Sequence, residues 1–381
     1  MKKPLILISA GEASGEMHAA RLAAALRLRT GGHLFGLGGA RMREAGVELL
    51  ADANQVAVVG ISEVVRRLPA VWQVYRQMVE EAAQRKPDLA ILVDFPDFNL
   101  RLARRLHAQG VRIVYFISPQ VWAWRPQRVE LMKRLVERVL CIFPFEEEFY
   151  RRAGVPVNFV GHPLVDAVRR TSTREEFAAK YRLNPTEPIV TLLPGSRPGE
   201  IEHNLPGMLE ACHQLERTRD YQIALAAAPG ITEKHMLEHA RFDVEVRIVE
   251  GATYDALAAA DCAIVSSGTA TVEAALLGVP MVVVYRVSAT TAFVARRLVR
   301  TPHFAMVNLI AGRRVVREFI QDEFKPEAVA AEARRLLESA EARDKMKRDL
   351  AEVCAKLGAG GAIEKAAGII ADTLKRQETP A

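Results

Sequence analysis

The sequence predicts two doubly wound α/β domains followed by a helical tail. Runs of aliphatic and β-branched residues alternate with segments of helical periodicity, and this alternation occurs twice. Strands that are apolar along their whole length, each followed by a helix, are typical of parallel sheets covered on both faces. A zone punctuated by Pro and Gly, between Gly161 and Pro194, separates the two series, and from about Lys325 onward only helical patterns remain.

The elements follow one another in a regular order along the chain. The first series contains the predicted strands Leu5–Ser9, Leu89–Val93, Arg112–Ile117 and Val139–Phe143. The second series contains Ile189–Leu193, Gln222–Ala226, Val246–Val249, Ala263–Val265 and Met281–Val284. Helical patterns separate the strands at Gly15–Arg29, Phe98–Gln109, Arg128–Val136, Leu205–Thr218 and Thr269–Leu277. We expect the change from one domain to the next near residues 163–188.

Composition bounds the class of protein. The 381 residues are 50% hydrophobic and 26% charged, which suffices for full cores and excludes a disordered chain. The net charge of +6 is too dilute over this length to indicate a nucleic-acid-binding protein. The four cysteines form no C-x-x-C pair, so we expect a reducing cytosol, no disulfide scaffold and no cysteine-based zinc site.

Two segments bear on contact with a membrane. Met1-Lys2-Lys3 and the apolar run behind it imitate a signal peptide, but Gly11-Glu12 ends the run too early. No uncharged apolar stretch reaches the roughly 18 residues that a transmembrane helix needs. The segment Val56–Met78 combines apolar residues with arginines, Trp72 and Tyr75, as in a helix that lies in a membrane surface. A buried helix pair gives a similar pattern.

Open parallel sheets bind ligands at the carboxyl ends of their strands, which makes the loops behind the predicted strands candidate sites. The first is GEASGE at 11–16, where glycines allow close approach and the helix start favours an anion. It lacks the G-x-G-x-x-G spacing of dinucleotide sites. Glu12 and Glu16 would repel a pyrophosphate, which favours a sugar or another hydroxyl-bearing ligand. The alternative is a tight turn with Ser14 as the helix N-cap.

Two further loops belong to the second domain. Residues 193–200, LPGSRPGE, place small residues beside Arg197, whose guanidinium suits phosphate, and they lack the Walker spacing. Residues 266–273, SSGTATVE, offer a helix start to a diphosphate, with Glu273 as a candidate partner for ribose hydroxyls. An ordinary connecting loop and helix capping are the alternatives. Two anion-friendly loops predict that the second domain is the nucleotide-binding half.

Carboxylates follow the strand Leu89–Val93 in the motif DFPDFN at 94–99. A carboxylate at a strand end between aromatic residues can act as a general base. Asp97 precedes a helix and is better explained as its cap, which leaves Asp94 as the better candidate base. The next strand is followed by SPQVWAWR at 118–125, where tryptophans can stack on sugar faces or acyl chains, or pack in the core.

Two other patterns have ordinary explanations. Residues 235–239 match the H-x-x-E-H pattern of zinc proteases, but Lys234 and Arg241 bracket them and no third ligand follows, so we expect a solvated helix. Arginines at 296, 297, 300, 313, 314 and 317 suit phosphate groups or anionic lipid, and solvated helix faces explain part of them.

In their order along the chain, these motifs resemble those of the lipid-A-disaccharide synthase family, the glycosyltransferases of lipid A assembly. One departure is Glu16, where the family usually has Asp. The resemblance covers nearly the whole chain and rests on GEASGE at 11–16, VVGISEV at 58–64, DFPDFN at 94–99, SPQVWAWR at 118–125, FPFE at 143–146, VGHPL at 160–164, LLPGSR at 192–197, SSGTATVE at 266–273 and NLIAGR at 308–313.

The resemblance implies two Rossmann-like doubly wound domains of the GT-B type that face a central crevice. We expect an acceptor-binding, membrane-facing domain at 1–165, completed by C-terminal helices at about 345–381, and a UDP-sugar-binding domain at 166–344. The resemblance also implies a cytoplasmic enzyme that is peripheral on the inner face of the inner membrane. Some members of the family form dimers.

The same resemblance assigns roles to residues. Asp94 is the expected base, with Asp97 and Glu12 as further catalytic candidates. We expect substrate contacts from Ser14, Gly15, Trp122, Arg125 and Asn308. We expect UDP contacts from Gly195, Ser196, Arg197, Ser267, Gly268, Thr269 and Glu273. No motif requires a metal or another cofactor.

The implied reaction transfers 2,3-diacylglucosamine from UDP-2,3-diacylglucosamine to the 6-hydroxyl of 2,3-diacylglucosamine 1-phosphate, with inversion at the anomeric carbon. The expected partners are the UDP-sugar donor, the acylated acceptor and the membrane surface, with no nucleic acid. Two alternatives keep the fold. A UDP-N-acetylglucosamine 2-epimerase would act on a water-soluble substrate and give Val56–Met78 no role. A non-catalytic nucleotide-binding module at the membrane surface is the other.

Overall fold

Two α/β units make up the described chain in the computed structural model. The model describes residues 3–53, 61–119, 121–124, 127–216, 221–228, 230–237, 244–288, 291–292 and 301–375, without the side chains of residues 13, 61–67, 123–124, 235 and 237. The first unit runs to Pro163 and resumes at Leu357, and the second spans Leu164–Lys356.

The first unit is built on a parallel sheet of seven described strands. Their order in the sheet is β3-β2-β1-β4-β5-β6-β7, so the chain reverses its direction of travel between β1 and β4. Every residue of β4 is buried, as its continuous apolar sequence predicts. The strands are β1 Leu5–Ala10, β2 His33–Gly38, β3 Glu48–Asp52, β4 Leu89–Val93, β5 Ile113–Phe116, β6 Arg138–Cys141 and β7 Val157–Phe159.

Helices connect these strands and bury their apolar stripes. In the helix that follows β4, Leu102, Ala103 and Leu106 are completely buried at helical spacing. The helix that follows β1 ends at Gly31, whose left-handed backbone (φ 62°) caps it. The described helices are α1 Ala13–Thr30, α2 Ala40–Glu44, α3 Ile61–Arg85, α4 Pro96–Ala108, α5 Val121–Trp124, α6 Arg128–Leu135 and α7 Pro144–Arg152.

The second unit repeats the architecture with six described strands in the order β10-β9-β8-β11-β12-β13. Strands are added toward one edge of the sheet from β8 to β10 and toward the other edge from β11 onward, so the switch point lies between β8 and β11. The strands are β8 Ile189–Leu193, β9 Gln222–Ala227, β10 Val246–Glu250, β11 Cys262–Ser266, β12 Met281–Tyr285 and β13 Glu318–Ile320. The helices are α8 Leu164–Ala167, α9 Arg174–Tyr181, α10 Pro198–Glu216, α11 Glu233–Leu237, α12 Thr253–Ala258, α13 Thr269–Leu276, α14 Met306–Ala311, α15 Pro326–Glu338 and α16 Ala340–Lys356.

A last helix, α17 (Ala362–Lys375), belongs to the first unit and packs along α1. The return to the first unit therefore begins at Leu357, later than the expected position near 345. The reason is the apolar stripe of α16, where Met346, Leu350 and Val353 recur at helical spacing and are buried within the second unit. This stripe packs against α13 and α14 and keeps α16 there.

The predicted fold class of two doubly wound α/β domains with a helical tail is confirmed. Four strands were absent from the sequence-based prediction: β2, β3, β7 and β13. Three of them, β3, β7 and β13, are sheet edges of three to five residues with partly exposed side chains. Among the described residues, none of the helices has both the length and the apolar character to cross a bilayer.

Candidate functional site

The switch point of the first sheet, between β1 and β4, brings the GEASGE and DFPDFN motifs together. The two strands are parallel neighbours, and Ala10 pairs with Val93 at their carboxyl ends. A Cβ added at Gly11 would lie only 2.3 Å from the ring of Phe95, so this close contact requires glycine. A Cβ added at Gly15 would lie 3.6 Å from the Cβ of Asp94. Asp94 therefore lies against the first turn of α1.

The backbone of Asp94 is held in an unusual conformation. Asp94 (φ 47°) and Phe95 (φ 49°) are consecutive non-glycine residues in the left-handed region, which is sparsely populated and energetically costly. The hydroxyl of Tyr115 donates to the Asp94 carbonyl at 2.6 Å, and the Asp94 N–H donates to the Phe116 carbonyl at 3.2 Å. Such strain is typical of functional sites, where the surrounding structure maintains it.

The side chain of Asn99 also holds the backbone at Asp94 in place. Its side chain is completely buried, and its Oδ1 accepts from the Ser9 hydroxyl at 2.7 Å. Its Nδ2 donates to the carbonyls of Asp94 at 2.9 Å and Val93 at 3.1 Å. Asn99 therefore joins the ends of β1 and β4 and positions Asp94. Neither Asn99 nor Tyr115 is among the site residues that the sequence predicts.

The other first-unit candidates around Asp94 have different environments. Glu12 is half-buried and is itself the N-cap position of α1, so the alternative of Ser14 as the N-cap is wrong. Ser14 is exposed in the first turn, beside Gly15. Asp97 is exposed in the first turn of α4, where it forms an ion pair with Arg128. Glu12, Ser14 and Gly15 thus share the loop that contacts Asp94, whereas Asp97 has a surface partner.

Glu16 has a structural contact that the sequence did not indicate. It is buried, and its Oε1 accepts from the N–H of Met42 at 3.0 Å. Met42 is the third residue of α2, so this carboxylate satisfies one of the open N–H groups at the start of that helix. Of the two carboxylates expected to repel a pyrophosphate at the GEASGE loop, only Glu12 therefore remains a candidate.

Glu146, from the FPFE motif, anchors the loop that carries Trp122. It is completely buried, and its Oε1 accepts from the Ser118 hydroxyl at 2.7 Å and from Trp122 Nε1 at 3.2 Å. Burial raises the pKa of Glu146 to about 7, and the two hydrogen bonds oppose this rise. Trp122 is half-buried and packs edge-on against Phe145 at 4.9 Å. Arg125 lies outside the described residues.

The first unit also contains two buried histidines, His18 and His162. His162, from the VGHPL motif, packs on Phe143 with ring centroids 5.0 Å apart. Burial, followed by the neighbouring His18, lowers the pKa of His162 to about 3. Burial also lowers the pKa of His18 to about 4, and among the described residues its Nδ1 has no hydrogen-bond partner. Both imidazoles are therefore neutral at neutral pH.

The switch point of the second sheet, between β8 and β11, carries the two predicted nucleotide loops. Asn204 on α10 is completely buried beneath them. Its Nδ2 donates to the Pro194 carbonyl at 3.1 Å and to the Ser266 hydroxyl at 3.3 Å, and its Oδ1 accepts from Arg286 N–H at 2.7 Å. A buried asparagine thus joins the strand ends in both units, Asn99 in the first and Asn204 in the second.

The loop behind β8 contains Gly195, Ser196 and Arg197. Gly195 is in the left-handed region (φ 134°), and a Cβ there would lie 2.5 Å from Glu200. The Ser196 N–H donates to Glu200 Oε2 at 2.9 Å, and Arg197 Nη1 lies 3.7 Å from Glu200 Oε1. The Arg197 side chain remains 56% exposed. The loop therefore presents an accessible guanidinium, which suits a phosphate, while Glu200 holds the Ser196 N–H and lies near the guanidinium.

The loop behind β11 presents the N-terminus of α13. Gly268 (φ 145°) is its N-cap in open space, and Thr269 is its exposed first residue. The Ser267 hydroxyl donates to the Phe304 carbonyl at 2.9 Å. Glu273, one turn further on, accepts from the Tyr254 hydroxyl at 3.1 Å, and burial raises its pKa. Two neighbouring loops with an arginine, a helix N-terminus and a half-buried carboxylate can hold a diphosphate and a hydroxyl-bearing sugar.

Asn308, an expected substrate contact, has its side chain enclosed by the protein. It is completely buried, and its Nδ2 donates to the Val316 carbonyl at 2.9 Å and to Glu318 Oε1 at 2.8 Å. Its Oδ1 accepts from the N–H groups of Val315 at 2.7 Å and Val316 at 3.0 Å. These contacts use its hydrogen-bonding capacity within the α14–β13 connection, which favours a structural role over the expected substrate contact.

Part of the predicted cationic cluster is also neutralised internally. Arg313 pairs with Asp349 at 2.9 Å and Glu352 at 3.0 Å, and Arg317 lies 3.5 Å from Glu332. Arginines 296, 297 and 300 lie outside the described residues, as do His239 and the side chain of His235. Within the described part of the chain, no group of three or more His, Cys, Asp and Glu residues is arranged to hold a metal ion.

Two α/β units, each with a doubly wound parallel sheet and polar loops at its switch point, define the GT-B fold class. The calicheamicin glycosyltransferase CalG4 has this fold, with a TM-score of 0.61, 15% identity and coverage of 100% of both chains. The UDP-GlcNAc 2-epimerase from Neisseria meningitidis, bound to UDP-GlcNAc, also has it, with a TM-score of 0.62, 13% identity and coverage of 98% of this chain and 100% of the other. At such identities the likeness shows the fold alone.

Sequence relatives define the family within that class. The family model "Lipid-A-disaccharide synthetase" matches residues 6–370. Lipid-A-disaccharide synthase from Myxococcus xanthus is 47% identical, with 97% of this chain and 98% of that protein covered. The enzyme from Geobacter sulfurreducens is 46% identical, with 98% of each covered. The chain belongs to the lipid-A-disaccharide synthase family and is a glycosyltransferase of lipid A biosynthesis.

Proposed function

We propose that the protein transfers 2,3-diacylglucosamine from UDP-2,3-diacylglucosamine to the 6-hydroxyl of 2,3-diacylglucosamine 1-phosphate. The products are the β-1,6-linked disaccharide 1-phosphate and UDP. The observation that carries the proposal is the placement of Asp94 at the end of β4, against the first turn of α1, with a strained backbone whose carbonyl accepts from the Tyr115 hydroxyl. Family membership supplies the class of reaction.

Asp94 acts as the general base in this proposal. It removes the proton of the acceptor hydroxyl as that oxygen attacks the anomeric carbon, while the bond from this carbon to UDP breaks on the opposite face. The configuration is therefore inverted. The hydrogen bonds that hold the Asp94 backbone support this role, because a base is most effective when its position is fixed before the substrate binds. Glu12, Ser14, Gly15 and Trp122 are the proposed contacts for the acceptor.

The second unit stabilises the leaving group. Negative charge grows on UDP as the bond breaks, and the loop residues Gly195, Ser196 and Arg197 bind the diphosphate together with the α13 start at Ser267–Thr269. These groups are preorganised donors, so they stabilise the transition state more than the ground state. Glu273 accepts hydrogen bonds from the ribose. This assignment is supported by the exposed Arg197 guanidinium and by the open space around Gly268.

The substitution Asp94→Asn tests the base, with Asp97→Asn as the matched control in the same motif. We expect Asp94→Asn to lower kcat by about 100-fold or more, the usual contribution of a general base, while UDP binding by calorimetry is retained. Asp97→Asn removes the same charge from an exposed, ion-paired site and should change kcat by less than about threefold. Near-normal turnover of Asp94→Asn would overturn the assignment.

The substrate is tested with the wild-type enzyme. We expect UDP release only when UDP-2,3-diacylglucosamine and the acylated acceptor phosphate are both present in detergent. A 2-epimerase would instead convert UDP-N-acetylglucosamine without any acceptor, and a non-catalytic module would bind UDP without releasing product. Either outcome would refute the proposed transfer.

Peripheral association with the inner face of the inner membrane is part of the proposal. It is supported by α3, where Leu68 and Trp72 lie one turn apart and are 50% and 52% exposed. Large apolar side chains with this exposure suit an interface with acyl chains. Of the segment Val56–Met78, residues 56–60 and the side chains of 61–67 lie outside the described residues.

A further inference from the structure

A cavity between α3 and α4 lies outside the site described above. Its volume is about 370 Å³. It is lined by Trp72, Tyr75, Arg101, Arg104, Arg105 and Ala108. The reaction proposed above uses none of these side chains.

The α4 wall of this cavity carries a concentrated positive charge. Arg101, Arg104 and Arg105 lie three and four residues apart and thus on one face of the helix, and all three are exposed. The opposite face of α4 holds the helix on the sheet through Leu102 and Leu106. Among the ion pairs of the described residues, none involves these three arginines, in contrast to the paired Arg128 and Arg112.

The α3 wall is aromatic and rigid. Trp72 and Tyr75 stack with ring centroids 5.1 Å apart, and the Arg76 guanidinium lies over the Trp72 ring at 5.5 Å. Tyr75 also packs edge-on against Phe98 of α4 at 6.0 Å. The Gln109 side chain donates to the Val79 carbonyl at 3.1 Å and joins the two helices further along. The cavity is therefore preformed, with arginines on one wall and an indole on the other.

We propose that this cavity binds the phosphate of an anionic phospholipid head group. Three closely spaced guanidiniums match the charge and the donor geometry of a phosphodiester. Trp72 lines the same cavity and Leu68 lies one turn before it on α3, and both expose apolar surface that the acyl chains of the same lipid can contact. A free soluble phosphate would use the arginines and leave these apolar side chains in water. The inference rests on the peripheral association proposed above and names its lipid chemistry.

The test measures vesicle binding of the full chain by co-sedimentation, without any sugar substrate, so it does not depend on the transferase assignment. The vesicles contain phosphatidylcholine with or without 30% phosphatidylglycerol (about one anionic lipid in three). The variant is Arg101→Gln/Arg104→Gln/Arg105→Gln. The matched control is Arg41→Gln/Arg43→Gln/Arg134→Gln, which removes the same charge from exposed arginines on α2 and α6.

We expect the wild type to prefer the anionic vesicles and the cavity variant to lose about 100-fold in partitioning, because each arginine near an anionic surface contributes roughly a factor of five. The control variant should lose much less. Trp72→Ala should weaken binding to both kinds of vesicle, and glycerol phosphate should compete poorly. Thermal melting of each variant reports whether it is folded. Equal losses in the two triple variants, unchanged binding of the cavity variant, or full competition by glycerol phosphate would each overturn the proposal.

Discussion

The substitution Asn99→Leu separates positioning of the base from stability of the fold. Leucine has a similar volume but makes none of the hydrogen bonds to Ser9, Val93 and Asp94 that the buried amide makes. Each such bond contributes about 1 kcal/mol net, so the free energy of unfolding should fall by about 2–4 kcal/mol. The Asp94 carbonyl keeps its hydrogen bond from the Tyr115 hydroxyl. A shift of about 1 Å at the base can cost on the order of 100-fold in rate.

Asn204→Leu is the matched control, because Asn204 is equally buried and joins the corresponding strand ends in the second unit. Urea denaturation gives the stability of each variant, kinetics give kcat, and calorimetry gives the Kd for UDP. We expect similar losses of stability but different functional losses, in kcat for Asn99→Leu and in UDP affinity for Asn204→Leu. The reasoning is refuted if folded Asn99→Leu keeps kcat within about threefold of the wild type, or if the two variants share one functional phenotype.

Three further substitutions and one control test other residues of the first unit. Burial raises the pKa of Glu146 to about 7, so its contribution to the free energy of unfolding is full below pH 4.5. This contribution falls by on the order of 3 kcal/mol as the pH rises to 7. Glu146→Gln should remove this fall, as measured by urea denaturation at a series of pH values. His18→Gln should remove a contribution of the opposite sign in the same titrations: because the pKa of His18 is lowered, wild-type His18 contributes stability that is full above pH 6.5 and is lost as the pH falls through about 4. Gly11→Ala should lower stability by about 1–3 kcal/mol through its clash with Phe95, whereas thermal melting of Gly15→Ala, whose Cβ has room, should show little change.

The sequence predicts the central strands and the position of Asp94 directly behind β4, because both depend on local patterns. Strands such as β4 and β8 are buried on both faces, which produces the continuous apolar runs that identify them. The edge strand β7, with the sequence VNF, is half-buried along its length and has only one neighbouring strand. Its sequence therefore carries little signal, and its existence depends on the pairing of Val139 with Val157.

The supporting residues of the site could not be predicted because their partners are distant in sequence. Asn99 meets Ser9 across 90 positions, and Glu146 meets Ser118 across 28. These contacts exist only once the strand order places β1 beside β4 and β5 beside β6. The same holds for Glu16, whose carboxylate seemed to face a ligand in the sequence but caps α2, and for Asn308, whose motif position gave no sign of its burial.

The return of α17 to the first unit imposes an order on folding during synthesis. The ribosome completes the second unit, Leu164–Lys356, before it makes the last helix of the first. Until then α1 lacks the neighbour that covers it, and Arg112 lacks the Thr373 carbonyl that it binds at 2.8 Å. The first unit is therefore the last to be finished, although its strands are made first. With the roles proposed above, a nascent chain gains its nucleotide-binding half before it gains a complete acceptor-binding half.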